Sequence, residues 1–255
     1  MSRPAPADLA DHRLAALFVL DFGLFDVGPG KRQIGIPGFL VRTDRGAHLL
    51  IDTGFDPLYA SAPDVAAARD GLDGFGRLIG HSAARTLPGQ LALLNLTPGD
   101  IDGCILTHGH IDHAGGVPLL DCPLWLGAAE AALPGPIWWN GRSPWTWPGG
   151  LQMQPVTVQT RFCHGLTLIP TPGHTPGHLS VLAELPGGQA VILAADAINR
   201  AGEPDEGFPD AEDPGEAARS AAKLMALRDQ TGATLIYGHD PVQWPTLPKA
   251  PQPWS

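Results

Sequence analysis

The sequence predicts one domain of mixed α and β structure, and three observations lead there. Short apolar runs of strand length recur from Leu14 to Tyr237, with Gly, Pro, Asn and Asp gathered between them. One longer amphipathic stretch, opened by Pro214-Gly215-Glu216 and running to Gln230, has the start signal and length of a surface helix. The 255 residues, 44% of them hydrophobic, can bury one large core, and no internal repeat divides them. Charged residues make up only 16%, while Gly (32) and Pro (27) are abundant, which describes a loop-rich globular chain rather than a disordered one.

From the N-terminus, residues 1–12 are rich in Pro and Ala and read as a disordered, frayed tail, leaving a domain over residues 13–255. Residues 14–22, apolar with β-branched and aromatic content, read as the first strand. Residues 28–32 form a turn-rich loop. Residues 39–43 and 48–51 read as a hairpin closed by Asp44-Arg45-Gly46, and its second strand runs into Asp52-Thr53-Gly54. Residues 56–85 mix helical and loop patterns without a clear period. Residues 87–94 read as a short helix with Pro88 in its first turn and Asn95 as its stop. Further strands are expected at 103–106, 124–126, 154–159, 166–169, 179–183, 190–195 and 234–237, with a helical turn at 128–132. Residues 198–213 carry Glu203, Asp205, Glu206, Asp210, Glu212 and Asp213 and read as a solvated acidic loop. The helix over 214–230 presents Ala218, Ala222, Leu224, Met225 and Leu227 as its apolar residues. The Pro-rich tail 241–255 has no strong period.

Residues 133–150 stand out in composition. Trp138, Trp139, Trp145 and Trp147 lie there among four prolines, a density that excludes a long regular element. Such a loop can be a lid that binds an apolar substrate, a satellite core, or the surface of a homodimer.

The chemistry concentrates in Thr107-His108-Gly109-His110-Ile111-Asp112-His113-Ala114-Gly115-Gly116, directly after the strand at 103–106. In an extended chain residues i and i+2 point the same way, so His108 and His110 can grip one metal. A turn into helix at Ala114-Gly115-Gly116 would swing Asp112 and His113 toward a second position. Imidazole with carboxylate suits zinc and tolerates iron, manganese or cobalt. A lone His-x-His is more often a solvated turn; three histidines and an aspartate between a strand and Gly-Gly are not.

This stretch resembles the signature of the metallo-β-lactamase superfamily of hydrolases, and so do Asp52-Thr53-Gly54, Thr171-Pro172-Gly173-His174-Thr175-Pro176-Gly177-His178 and Gly238-His239-Asp240. The resemblance runs from the first strand to His239. It implies an αβ/βα sandwich, two mixed sheets face to face with helices outside. It also implies two divalent metal ions: His108, His110 and His174 on one, Asp112, His113 and His239 on the other, and Asp196 bridging. In that pattern a shared hydroxide attacks the substrate carbonyl and Asp112 shuttles the proton. Asp52 becomes a candidate hydrogen-bond partner of a ligand histidine, although an ordinary strand-end aspartate reads the same way. His178 is expected to support the site rather than bind metal; His12, His48, His81 and His164 belong to no motif.

Within the superfamily the chain is most similar to the N-acyl-homoserine lactonases, in length, in the repeated Thr-Pro-Gly-His and in Gly-His-Asp-Pro. That implies a lactone with an apolar acyl chain as substrate, for which the tryptophans would be the substrate-binding surface. Other ester, thioester or phosphotriester hydrolysis is the alternative, and a metal-binding scaffold without catalysis a more remote one. Glyoxalase II-type thioesterases carry a long helical C-terminal segment, whereas only 16 residues follow His239 here. Those lactonases commonly have a tyrosine three residues after the bridging aspartate. Asn199 stands there instead, as a candidate hydrogen-bond donor to the substrate carbonyl.

With a net charge of −10 and no basic run, a nucleic-acid partner is not expected. Cys104, Cys122 and Cys163 are odd in number and widely spaced, as free thiols packed in a core would be. No segment resembles a signal peptide or a membrane span, so a cytoplasmic protein is expected.

Overall fold

A computed structural model describes residues 9–28, 32–137, 141, 143 and 145–254. A first sheet is built on the long hairpin of β1 (Leu14–Val27) and β2 (Arg32–Thr43). It continues with β3 (His48–Ile51), β4 (Gly76–Ile79), β5 (Gly103–Ile105), β6 (Leu124–Gly127) and β7 (Met153–Val156), in the order β4-β1-β2-β3-β5-β6-β7. The second sheet contains β8 (Thr160–Cys163), β9 (Leu166–Pro170), β10 (Leu179–Glu184), β11 (Ala190–Ala195) and β12 (Thr234–Tyr237), in the order β12-β11-β10-β9-β8. Both sheets are mixed: β3-β5-β6-β7 and β11-β12 pair in parallel and the remaining neighbours antiparallel. The helices are α1 (Leu58–Ser61), α2 (Pro63–Asp70), α3 (Leu87–Ala92), α4 (Ile111–Ala114), α5 (Ala128–Ala131), α6 (Glu203–Glu206) and α7 (Pro214–Thr231).

Alternation along the strands explains the layering. In β1, Leu17 and Val19 face the second sheet, while Phe18, Leu20 and Phe22 face α2 and α3 on the other side. In β3, Leu49 and Ile51 point inward and Leu50 outward in the same way. Strands buried on both faces read as continuous apolar runs, which is why they were legible. Leu168, Val181, Val191 and Leu193 complete the layer between the sheets. The outer face of the second sheet, with Ile169, Leu182 and Ile192, is covered by α7. The expected αβ/βα sandwich is therefore the fold.

Helix α7 starts where Asp213 Oδ1 accepts from Glu216 N at 2.9 Å and ends at left-handed Gly232. Its buried face is Ala217, Ser220, Ala221 and Leu224, not Ala218 and Ala222, which are exposed. Neighbouring alanines look alike in composition, so only the sheet decides the phase. The unperiodic stretch 56–85 holds α1, α2 and the edge strand β4, set by pairing with β1 at Phe25–Leu78. Strand β8 is likewise a short half-polar edge strand. Of the expected frayed tail, residues 1–8 lie outside the described residues. Leu9 is packed in the inter-sheet core, and buried His12 meets Thr43 Oγ1 through Nδ1 at 3.0 Å. The unperiodic C-terminal tail is tied by backbone bonds, Ala250 N to Val19 O and Trp254 N to Leu17 O. All three cysteines are buried, and none is in a disulfide. Among the described residues no helix is long and apolar enough to cross a membrane.

The sheets meet most closely beside the histidine-bearing loops. Leu179 N donates to Thr107 O at 2.8 Å across them. A Cβ on Gly127 would lie 1.9 Å from the carbonyl oxygen of Gly177, so the two backbones touch with no side chain between.

Candidate metal centre

Strands β3, β5, β9, β11 and β12 deliver their following residues to one edge of the sandwich. Beyond β5 come His108 and His110. Helix α4 then begins at Ile111, earlier than the expected turn at Ala114-Gly115-Gly116, so Asp112 and His113 are carried on its first turn. His174 follows β9, Asp196 follows β11, and His239 follows β12 after Gly238. A Cβ on Gly238 would fall 2.7 Å from both Ala195 O and Asp196 Oδ1, so only glycine lets that strand end come so close.

These residues form two groups, His108, His110, His174 and Asp196 in one and Asp112, His113 and His239 in the other, with donor atoms in each group within 4.8 Å of one another. Asp196 splits between them. Its Oδ2 lies 3.3 Å from His174 Nε2 and 3.9 Å from His108 Nε2, while its Oδ1 lies 3.4 Å from His113 Nε2 and 3.3 Å from His239 Nε2. His174 Nε2 and His110 Nδ1 are 3.0 Å apart, and Asp112 Oδ2 is 3.3 Å from His239 Nε2. His108 Nε2, His113 Nε2 and Asp196 Oδ1 are buried without a hydrogen-bond partner. Buried orphans of this kind call for an explanation, and cations held by the two donor groups fit all three. The donor set of imidazoles and carboxylates fits divalent metal ions.

The groups around the cluster fix its orientation. Asp52, left open between two readings, accepts from Thr107 N at 2.8 Å and from Thr107 Oγ1 at 2.8 Å, and its Oδ2 meets His113 Nδ1 at 2.8 Å. It thereby sets the His113 tautomer and leaves Nε2 for the cluster. The Gly35 carbonyl accepts from His239 Nδ1 at 2.9 Å. His178 is not in the cluster; its Nε2 accepts from the Asp196 backbone N at 3.1 Å and its Nδ1 meets Thr171 Oγ1. Glu130, which sequence reasoning passed over inside an alanine-rich turn, is buried with its carboxylate held by the backbone N–H groups of Gly109 and Gly177. A lone acid in such a turn was the available signal.

Electrostatics divides the cluster. Burial pushes His108 and His174 well below the usual imidazole range, and His110 down to about 4. Neutral imidazoles are the form that binds metal. Burial acts the same way on His113 and His239, but there carboxylates outweigh it, those of Asp112, Asp52 and Asp196 at His113 and those of Asp196 and Asp112 at His239. They lift His113 to about 9 and raise His239 well above its usual value. Burial raises Asp112 less than His113 and His239 lower it, so it sits at about 2. Carboxylates that hold these protons attract a cation equally well.

The sequence pattern of the metallo-β-lactamase superfamily matches residues 36–239, most of the chain. The chain belongs to that superfamily. N-acyl homoserine lactonase AttM of Azorhizobium caulinodans is 30% identical over 239 residues, covering 86% of this chain and 87% of that protein. Human metallo-beta-lactamase domain-containing protein 1 is 32% identical over 177 residues, 68% of this chain and 60% of its own. A solved structure of a mutant AiiA from B. thuringiensis, with N-decanoyl-L-homoserine bound at its active site, superposes with a TM-score of 0.81. It is 20% identical and covers 95% of this chain and all of that one. The expected hydrolase of the metallo-β-lactamase superfamily, on the lactonase side of it, stands.

In this metallo-β-lactamase fold the cluster opens into a cavity of about 320 Å³. Phe25, Val27, Ile34, Phe55, Leu72 and Phe75 form its apolar lining, with Arg32, Asn199, Arg200 and Asp210 as further polar members. Of the tryptophans expected as substrate-binding residues, the two that are described, Trp145 and Trp147, do not line it. Trp145 and Trp147 pack edge to face at 5.6 Å against the outer core of the first sheet, and Trp147 Nε1 donates to Leu133 O at 3.0 Å. Those indoles thus take the satellite-core reading, and Trp138 and Trp139 lie outside the described residues. Asn199 does line the cavity, but its amide is engaged otherwise than expected. Its backbone N donates to Glu203 Oε2, and its Nδ2 donates to Glu203 Oε1 at 3.2 Å. Glu203 is 2% exposed and begins α6, so the acidic stretch is not uniformly solvated.

Proposed function

We propose that this protein is a lactone hydrolase that opens the ring of an N-acyl-homoserine lactone, or of a related lactone with an apolar acyl chain, at two divalent ions. One observation carries the reading: a seven-residue donor set, its central aspartate split between two groups, opens into a cavity whose remaining wall is aromatic and aliphatic. The lactonase relative supports the same substrate class.

His108, His110 and His174 would hold one ion, Asp112, His113 and His239 the other, with Asp196 shared. Zinc suits these donors, and iron, manganese or cobalt are tolerated. Bound there, such ions would supply a water-derived nucleophile at neutral pH and Lewis acidity toward a carbonyl. The chain's own groups do the rest. Asp112 is 17% exposed at its side chain and ionised at neutral pH, so a carboxylate oxygen is ready to take a proton beside the reacting centre and return it to the leaving alkoxide. Phe25, Phe55 and Phe75 hold the acyl chain and keep water from it.

The test is acid release in a pH-stat by zinc- or cobalt-loaded protein, with N-decanoyl- and N-butanoyl-homoserine lactones beside a thioester and a phosphotriester. Lactone opening with the highest kcat/KM, greater for the longer chain, is the expected result. Protein carrying two ion equivalents that leaves both lactones intact overturns the reading.

A further inference from the structure

We propose that Asn199 and Arg200 read the secondary amide joining the acyl chain to the lactone ring, with Asn199 Oδ1 accepting its N–H and Arg200 Nη1 donating to its carbonyl oxygen. The inference rests on the lactonase reading above. Both residues follow Asp196 on the segment leaving β11, and both line the cavity.

Glu203 sets the sense of the Asn199 amide. Its carboxylate takes the Asn199 backbone N–H on one oxygen and Nδ2 on the other. A carboxylate oxygen only accepts, so the amide nitrogen faces Glu203 and the carbonyl is turned away from it. That carbonyl, Oδ1, is buried without a partner. On the next residue, Arg200 Nη2 is tied to Glu206, while Nη1 is likewise buried without a partner. An acceptor and a donor therefore stand buried and unpaired on consecutive residues that line the cavity, each an uncompensated cost until a ligand draws it into a hydrogen bond.

A secondary amide supplies both complements at once. An alkyl chain would leave both atoms unpaired. A carboxylate would suit Arg200 but repel Oδ1, and Glu206 already faces the guanidinium. An ester linkage offers a carbonyl oxygen and no N–H. The same geometry takes Asn199 away from the expected role of donor to the lactone oxygen: the atom it leaves free is an acceptor.

The experiment compares N-decanoyl-homoserine lactone with α-decanoyloxy-γ-butyrolactone, in which the N–H is replaced by oxygen. Zinc-loaded protein is used, and ring opening is scored as the intact ring-opened acid. The amide-linked lactone is expected to have kcat/KM about 10–100-fold higher. Asn199→Leu is expected to bring that ratio close to one. Arg200→Met is expected to lower both substrates by the same factor, because both retain the carbonyl. Metal content and Tm are measured alongside each variant. A wild-type ratio near one overturns the proposal without any variant having to fold, and leaves the lactonase reading intact. An unchanged ratio in folded, metal-loaded Asn199→Leu overturns it as well. If neither lactone is opened, the lactonase reading itself falls.

Discussion

At the ligand end of the cavity directional bonds hold the cluster in place: Asp52 for His113, the Gly35 carbonyl for His239, and His178 beneath the backbone of Asp196. At the apolar end the wall is held by shape. Phe25 stacks on Phe55 and tilts against Phe75, each pair 5.8 Å apart, and Phe55 meets Tyr59 edge-on at 5.2 Å. Directional bonds fix an atom to fractions of an ångström, whereas apolar contact fixes only volume. The donor cluster is therefore rigid by construction, and the apolar wall can be repacked without touching it.

The sharpest way to break this contrast is at Asp196. Asp196→Ala removes the one carboxylate that faces both donor groups. Metal content is expected to fall from about two equivalents to below one, with turnover lost. Two bound ions by elemental analysis would mean that the halves are independent. Next in size is Asp52→Ala, which touches no cavity and leaves His113 unoriented. A loss of about 10–100-fold in metal affinity or turnover is expected, read by competition with a chelator. An unaltered chelator curve would mean that the hydrogen-bonded frame is ornamental.

Smaller effects are expected at the wall. Phe55→Ala should lower kcat/KM for the decanoyl lactone about 10-fold and for the butanoyl lactone little, from lost apolar contact. Trp145→Ala should do the reverse, costing up to about 3 kcal/mol of stability with the chain-length profile unmoved. A changed profile would return the indole to the substrate site. The least effect is expected from a thiol reagent at pH 8. Burial pushes Cys104 well up and Cys163 to about 11, and Cys122 is buried. Activity and metal content should persist, with all three thiols reacting only after unfolding. Metal release by the reagent would place sulfur in the coordination.

The same contrast explains what could be read from the chain. His108 to His113 are adjacent in sequence because one strand end and one helical turn hold them, so their spacing carries information. His174, Asp196 and His239 each sit alone after an apolar run and were recognisable only through the family pattern. Phe25 and Phe75 had no signal at all, since an apolar residue facing a cavity looks like one facing a core. Phe75 also fell in a stretch whose strand is set by its partner β1. Trp145 and Trp147 announced an apolar contact but not its place, which is the outer core of the first sheet. Glu203 read as part of a solvated acidic run because nothing in the composition tells which of six acids turns inward.

The bare contact of Gly127 with Gly177 works as a machinist's datum. One lies at the end of β6 in the first sheet, the other three residues beyond His174 in the second, and the gap between them is the thickness of two peptide backbones. No side-chain substitution elsewhere can shim that gap thinner; a Cβ at Gly127 forces it wider, and one at Gly177 would strike the backbone and side chain of Glu130 on α5. The spacing between the donors carried by the first sheet and those carried by the second is thus indexed to covalent geometry, which does not drift as sequences diverge. Laboratory evolution for new substrates should accordingly accumulate changes along the cavity wall and leave these two glycines alone.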